Sequence, residues 1–82
     1  MINVFLIDDH AMLRAGIRQF LEKDDAVCVV GEAGDGLSAQ RGIAYAHPLP
    51  DVVLLDIKMP KMSGIDVTRW LREAYPDVRV LT

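Results

Sequence analysis

Val4-Phe5-Leu6-Ile7-Asp8-Asp9-His10 is an unbroken apolar run that ends in adjacent acids. Further short runs follow at similar spacing: Val27-Cys28-Val29-Val30, Val52-Val53-Leu54-Leu55 and Val78-Arg79-Val80-Leu81. Continuous rather than alternating apolar residues predict strands buried on both faces, as in a parallel sheet covered by helices. Arg79 interrupts the last run, which suits a strand nearer an edge. Helical stripes lie between the runs. They are Leu13, Ile17, Phe20 and Leu21; then Leu37, Gln40, Ile43 and Ala44; then Val67, Trp70, Leu71 and Ala74. Asp9 or His10 starts the first helix, Pro48 and Pro50 close the second, and Pro76 ends the third. Gly31-Glu32-Ala33-Gly34-Asp35-Gly36 is read as a loop. Its glycines are in the wrong order for a dinucleotide fingerprint, and it follows the second run instead of the first. The resulting order, β-α-β-α-β-α-β, predicts an α/β domain with right-handed crossovers.

At 82 residues the chain is one small domain, read as spanning residues 1–82 without an internal boundary. A hydrophobic fraction of 51% with 26% charged residues places it among ordinary globular proteins. A net charge of -3 without a basic stripe argues against nucleic-acid binding by this segment. The lone Cys28 cannot form an internal disulfide and reads as a small apolar residue in a reducing compartment. The N-terminus lacks a basic region and no apolar stretch approaches a membrane span, so the expectation is a cytoplasmic protein with no membrane partner.

Asp8 and Asp9 follow the first strand and Asp56 follows the third. In a doubly wound sheet of flavodoxin-like order 2-1-3-4, strands one and three are neighbours. Ligands then bind beyond their carboxyl ends, where the strand order reverses. All three carboxylates are therefore expected in one crevice. Two unit charges about 5 Å apart cost roughly 3 kcal/mol at an effective dielectric near 20. Such a cluster needs a cation or shifted pKa values. Hard oxygen donors around an open site suit Mg²⁺, which also makes Asp56 a plausible nucleophile toward phosphorus. One acid after a strand could simply cap the next helix. Adjacent acids after strand one, together with Asp56 after strand three, exceed what capping requires. Asp56 does not directly start a helix, because Met59-Pro60 and Gly64 intervene.

Val4-Phe5-Leu6-Ile7-Asp8-Asp9-His10 resembles the first strand and acidic pair of response-regulator receivers of two-component systems. Val53-Leu54-Leu55-Asp56-Ile57-Lys58-Met59-Pro60 with Gly64 resembles their phosphorylation motif, and Val80-Leu81-Thr82 their fourth strand with its hydroxyl switch residue. The resemblance runs through all 82 residues. Asp-Asp-His at the start and Val30-Gly31-Glu32-Ala33 after strand two look most like the NarL/FixJ subfamily. It implies the CheY-like three-layer α/β/α fold, with Asp56 as phosphoacceptor from a sensor histidine kinase. Asp8, Asp9, Asp56 and the Lys58 backbone carbonyl would hold Mg²⁺, and Thr82 would bind phosphoryl oxygens and carry the signal. Met59-Pro60 and Gly64 would shape the loop beside the site, the glycine permitting a turn unsuited to other residues. Members of this subfamily usually control transcription through a C-terminal DNA-binding output domain.

A full receiver has a fifth strand ending in lysine and two more helices, none of which lies in this sequence. The expectation is a receiver cut short after its fourth strand, with phosphorylation competence tied to what is missing. Its bare edge strand and uncovered sheet face predict homodimerisation or strand exchange. The alternative function is an Mg²⁺-dependent phosphohydrolase with an aspartyl nucleophile. Such enzymes place a second acid two residues after the nucleophile, where this chain has Lys58. His10 is read as a surface residue at the helix start, since Mg²⁺ prefers oxygen. His47 is read as a solvated helix end, and Trp70 as core.

Overall fold

The computed structural model describes residues 1–56 and 64–82. It contains β1 (Ile2–Ile7), α1 (Ala11–Glu22), β2 (Val27–Ala33), α2 (Gly36–Tyr45), β3 (Val52–Leu55), α3 (Gly64–Ala74) and β4 (Arg79–Leu81). The strands form one parallel sheet in the order β2-β1-β3-β4, as the sequence predicts.

β1 is the central strand in packing terms, and its alternate residues serve two different cores. Phe5 and Ile7 join Ala39 and Ile43 of α2, Val67 and Leu71 of α3, and Val53, Leu55 and Val78 in the larger cluster. Val4 and Leu6 face the other way, with Val29, Ile17, Leu21, Val27 and Leu54. Burial on both faces holds for β1 between Val4 and Ile7. It does not hold for β2, which buries only Val29 and Ala33, or for β3, which alternates between half-buried and buried residues. The reason is geometric: β2 is an edge strand, and α1 packs over β1 and β2 but leaves the β3 side of its face thinly covered.

The segment Gly31 to Ala33 is strand, not loop. Phe5, Leu6 and Ile7 pair with Gly31, Glu32 and Ala33 after a register shift between Val4 and Phe5. A glycine inside a strand marks a bulge or a close approach, and here it marks both. A Cβ on Gly31 would lie 2.7 Å from Phe5 Cε2, and one on Gly42 would lie 2.8 Å from Phe5 Cζ. The Phe5 ring fills the space left by these two missing side chains. Gly31→Ala or Gly42→Ala is therefore expected to cost about 1–3 kcal/mol by overpacking. Urea denaturation checks this, and the cost should shrink when either change is combined with Phe5→Leu.

The helical stripes are partly rotated from their predicted positions. Ile17 and Leu21 of α1 meet the sheet, but Leu13 and Phe20 are exposed. Arg14 and Arg18 take the half-buried places between them. α2 buries Gly36, Ala39 and Ile43, whereas Leu37 points to solvent. Asp35 caps α2 by accepting a hydrogen bond from the Ser38 N–H at 2.8 Å. In α3, Val67 and Leu71 are fully buried, and Trp70 packs against the core and edge-on to Tyr75. Gly64 is the first residue of α3. The loop that Gly64 was expected to shape, residues 57–63, lies outside the described residues. Cys28 is a half-buried free thiol on β2, and His47 lies exposed just beyond α2. Among the described residues no helix is long and apolar enough to cross a membrane.

Candidate functional site: an acidic crevice at the ends of strands one and three

Backbone hydrogen bonds continue beyond the strand ends and fix the acids in space. The Asp8 N–H donates to the Ala33 carbonyl at 3.1 Å, and the Asp56 N–H donates to the Ile7 carbonyl at 3.0 Å. Because Ile7 pairs with Leu55, the next residues on the two strands, Asp8 and Asp56, emerge side by side. The parallel order alone produces this juxtaposition.

Asp8, Asp9, His10 and Asp56 each place one ligand atom within 4.8 Å of all the others. Asp8 is the most buried of the acids, its side chain retaining 13% exposure against 29% for Asp9 and 26% for Asp56. Its Oδ1 accepts a hydrogen bond from the His10 N–H at 2.7 Å. That bond forms a local turn before α1. The helix itself begins after His10, which makes no side-chain cap, so neither acid serves the capping role. Both acids are free to point toward Asp56.

His10 lies closer to the acids than its sequence context suggested. Its Nδ1 is 3.2 Å from Asp8 Oδ1, 3.0 Å from Asp9 Oδ1 and 4.0 Å from Asp56 Oδ2. The ring remains 69% exposed, in keeping with a surface residue at a helix start. Adjacency to two acids was the available signal, but side-chain direction at a turn does not follow from spacing.

Thr82 follows β4 and lines the same cavity as Asp8 and Asp56, a space of about 190 Å³ that also meets Leu6, Leu54, Arg14 and Leu81. Three of the expected site residues, Asp8, Asp56 and Thr82, therefore share one cavity, with Asp9 at its acidic rim. Lys58, expected to offer its carbonyl, lies outside the described residues, as do Met59 and Pro60.

A charged network that the sequence did not announce backs the crevice. Arg14 Nε donates to Glu32 Oε1 at 2.9 Å, and Arg18 Nη1 donates to Glu32 Oε2 at 2.6 Å. Arg18 also binds Glu22 one turn along α1. These donors, Arg14 first, hold the Glu32 carboxyl below its ordinary value of 4.5. Its contribution to stability is therefore complete above that unfolded value and is lost as pH falls through the lower folded one. Glu32→Gln is expected to flatten the acid limb of the melting temperature as pH falls below the ordinary carboxyl value of 4.5. An unchanged acid limb would remove Glu32 from that role.

The donor set fits Mg²⁺. Carboxylate oxygens from two strand ends converge at an open cavity, leaving positions for water or a phosphoryl oxygen.

The response regulator receiver domain model matches residues 4–82. Response regulator GacA from Pseudomonas viridiflava is 42% identical over 82 residues, covering 99% of this chain and 37% of that protein. Response regulator UvrY from Escherichia coli is 43% identical over 81 residues, covering 99% of this chain and 36% of its own length. In structure, the chain is similar to RcsB from Salmonella enterica serovar Typhimurium bound to promoter rprA in the presence of the phosphomimetic BeF3⁻. The TM-score is 0.86 at 29% identity, covering 98% of this chain and 41% of that one. The chain thus spans well under half the length of these relatives. Its sheet order, its acidic crevice and these similarities agree: the chain belongs to the response regulator receiver domain family.

Proposed function

We propose that this chain is a phosphoacceptor switch in which Asp56 takes a phosphoryl group from a histidine kinase. The observation that carries the reading is the convergence of Asp8, Asp9 and Asp56 within 4.8 Å at adjoining strand ends. A carboxylate oxygen of Asp56 attacks phosphorus, the bond to the donor breaks, and an acyl phosphate forms as the donor imidazole departs. Asp8, Asp9 and Asp56, with the Lys58 carbonyl, would hold Mg²⁺. When bound there, Mg²⁺ would supply positive charge against the charge building on the transferred oxygens. The protein's own task is positioning: β1 and β3 fix Asp8 and Asp56 through their backbone bonds. Thr82, which lines the shared cavity, would donate its hydroxyl to a phosphoryl oxygen and pass the change to β4.

The chain acts by being modified and not by turning over an external substrate. The RcsB comparison, with its phosphomimetic and promoter, supports a role in transcription control through a segment outside this sequence. The exposed edge of β4 would support pairing with a second copy.

Intact mass after incubation with acetyl phosphate tests this reading. One added phosphoryl group, dependent on Mg²⁺ and lost in Asp56→Ala, is the expected result. Steady multiple turnover of the donor without a stable adduct would favour the phosphohydrolase reading instead.

A further inference from the structure

Arg14 is the least exposed cation of the network, its side chain 17% accessible. A long charged side chain is rarely so enclosed unless its donors are matched. Its Nε donates to Glu32, as described above. Its Nη1 donates to the Asp8 carbonyl and reaches the Ala33 carbonyl at 3.5 Å. The Asp8 carbonyl belongs to the peptide unit that joins Asp8 to Asp9. That unit is planar, so holding its oxygen fixes the ψ of Asp8 and the φ of Asp9 together. The relative aim of the two carboxylates follows from those two angles.

Gly34 completes the arrangement. A Cβ there would lie 3.2 Å from Arg14 Nη1 and 3.9 Å from the Asp8 carbonyl oxygen. The missing side chain leaves the slot in which the guanidinium sits. Arg18 differs in kind: it shares Glu32 but has no bond to the Asp8 or Ala33 carbonyls.

We propose that Arg14 is a positioning residue for the acidic crevice, clamping the Asp8–Asp9 peptide and anchored in turn by Glu32. This rests on the reading of the crevice as a Mg²⁺ site. It assigns the cation affinity of Asp8 and Asp9 to a residue on α1 that is not one of the acidic ligands.

The test is calorimetric titration of Mg²⁺ into the 82-residue chain and its variants, with thermal unfolding measured on each. Arg14→Ala is expected to weaken Mg²⁺ binding about tenfold, the size typical when a support of a metal ligand is removed. Arg18→Ala cuts the same ion-pair network and should leave the affinity within about twofold of wild type. Arg14→Lys keeps the charge but not the planar fork, and should give an intermediate loss. Gly34→Ala should shift affinity in the same direction by crowding the guanidinium. A folded Arg14→Ala chain that binds Mg²⁺ like wild type overturns the proposal. Should Arg14→Ala fail to fold, wild-type affinity in both Arg14→Lys and Gly34→Ala overturns it equally. A wild-type chain that binds no Mg²⁺ would instead overturn the metal site on which the proposal rests.

Discussion

Asp56→Asn is expected to raise the melting temperature of the metal-free chain and to abolish the further rise that saturating Mg²⁺ gives the wild type. The two effects have one cause. Asp8, Asp9 and Asp56 place carboxylate oxygens within 4.8 Å of one another, and folding brings those charges together. All three remain partly exposed, so water reduces their repulsion well below the dry-interior value. Removing one charge should return on the order of 1 kcal/mol, or about 4–8 °C for a domain of this size. For the wild type, a cation present at a hundred times its Kd should add about 2.7 kcal/mol. Asparagine keeps the shape but lacks the charge that makes the cation favourable. Differential scanning calorimetry with and without Mg²⁺ reads both effects. A variant less stable without metal, yet still stabilised by Mg²⁺, would contradict the assignment of Asp56 to the crevice.

Phe5→Ala is expected to cost about 3–5 kcal/mol, the usual range for emptying a buried aromatic site. Phe5 is 2% exposed and stands in the larger cluster where β1 meets α2 and α3. Relaxation cannot readily fill the gap, because the adjoining positions Gly31 and Gly42 carry no side chains that could move in. A domain of 82 residues at about 0.05–0.15 kcal/mol per residue has about 4–12 kcal/mol in total. The variant should therefore lie near its unfolding midpoint in modest urea, with weakened near-ultraviolet ellipticity. A loss under about 1 kcal/mol would mean that the two glycines are not packed around this ring.

The fold was legible because β1 is covered on both faces. Val4 to Ile7 read as a continuous apolar run, and the run placed Asp8 and Asp9 at its end. The same rule applied to β2 overstated its burial and stopped it at Val30. Strand pairing with Phe5, Leu6 and Ile7 carries it on through Gly31, Glu32 and Ala33. A sequence window counts glycines as punctuation; only the partner strand shows that a ring lies over one. The α1 stripe failed in a different way. Leu13 and Phe20 fit helical spacing, but α1 touches the sheet through Ile17 and Leu21, with Arg14 and Arg18 folded along its flank.

The site divides along the same line. Asp8, Asp9 and Asp56 were found at strand ends, which apolar runs reveal, and were brought together by applying a flavodoxin-like strand order. Arg14 and Glu32 meet across elements distant in sequence, for which single-chain spacing holds no signal, and the approach of adjacent His10 depends on side-chain direction at a turn. Arg14 and Arg18 lie four residues apart in sequence, and nothing but the fold shows that one of them reaches the peptide between two acids.

The central claim is that the phosphoryl group resides on Asp56. Borohydride trapping after acetyl phosphate treatment in Mg²⁺, followed by peptide mapping, locates an acyl phosphate directly. The account predicts reductive conversion at position 56 and nowhere else among the acids, absent without Mg²⁺. Conversion at Asp8 or Asp9, or an adduct that forms equally well without the cation, would contradict it.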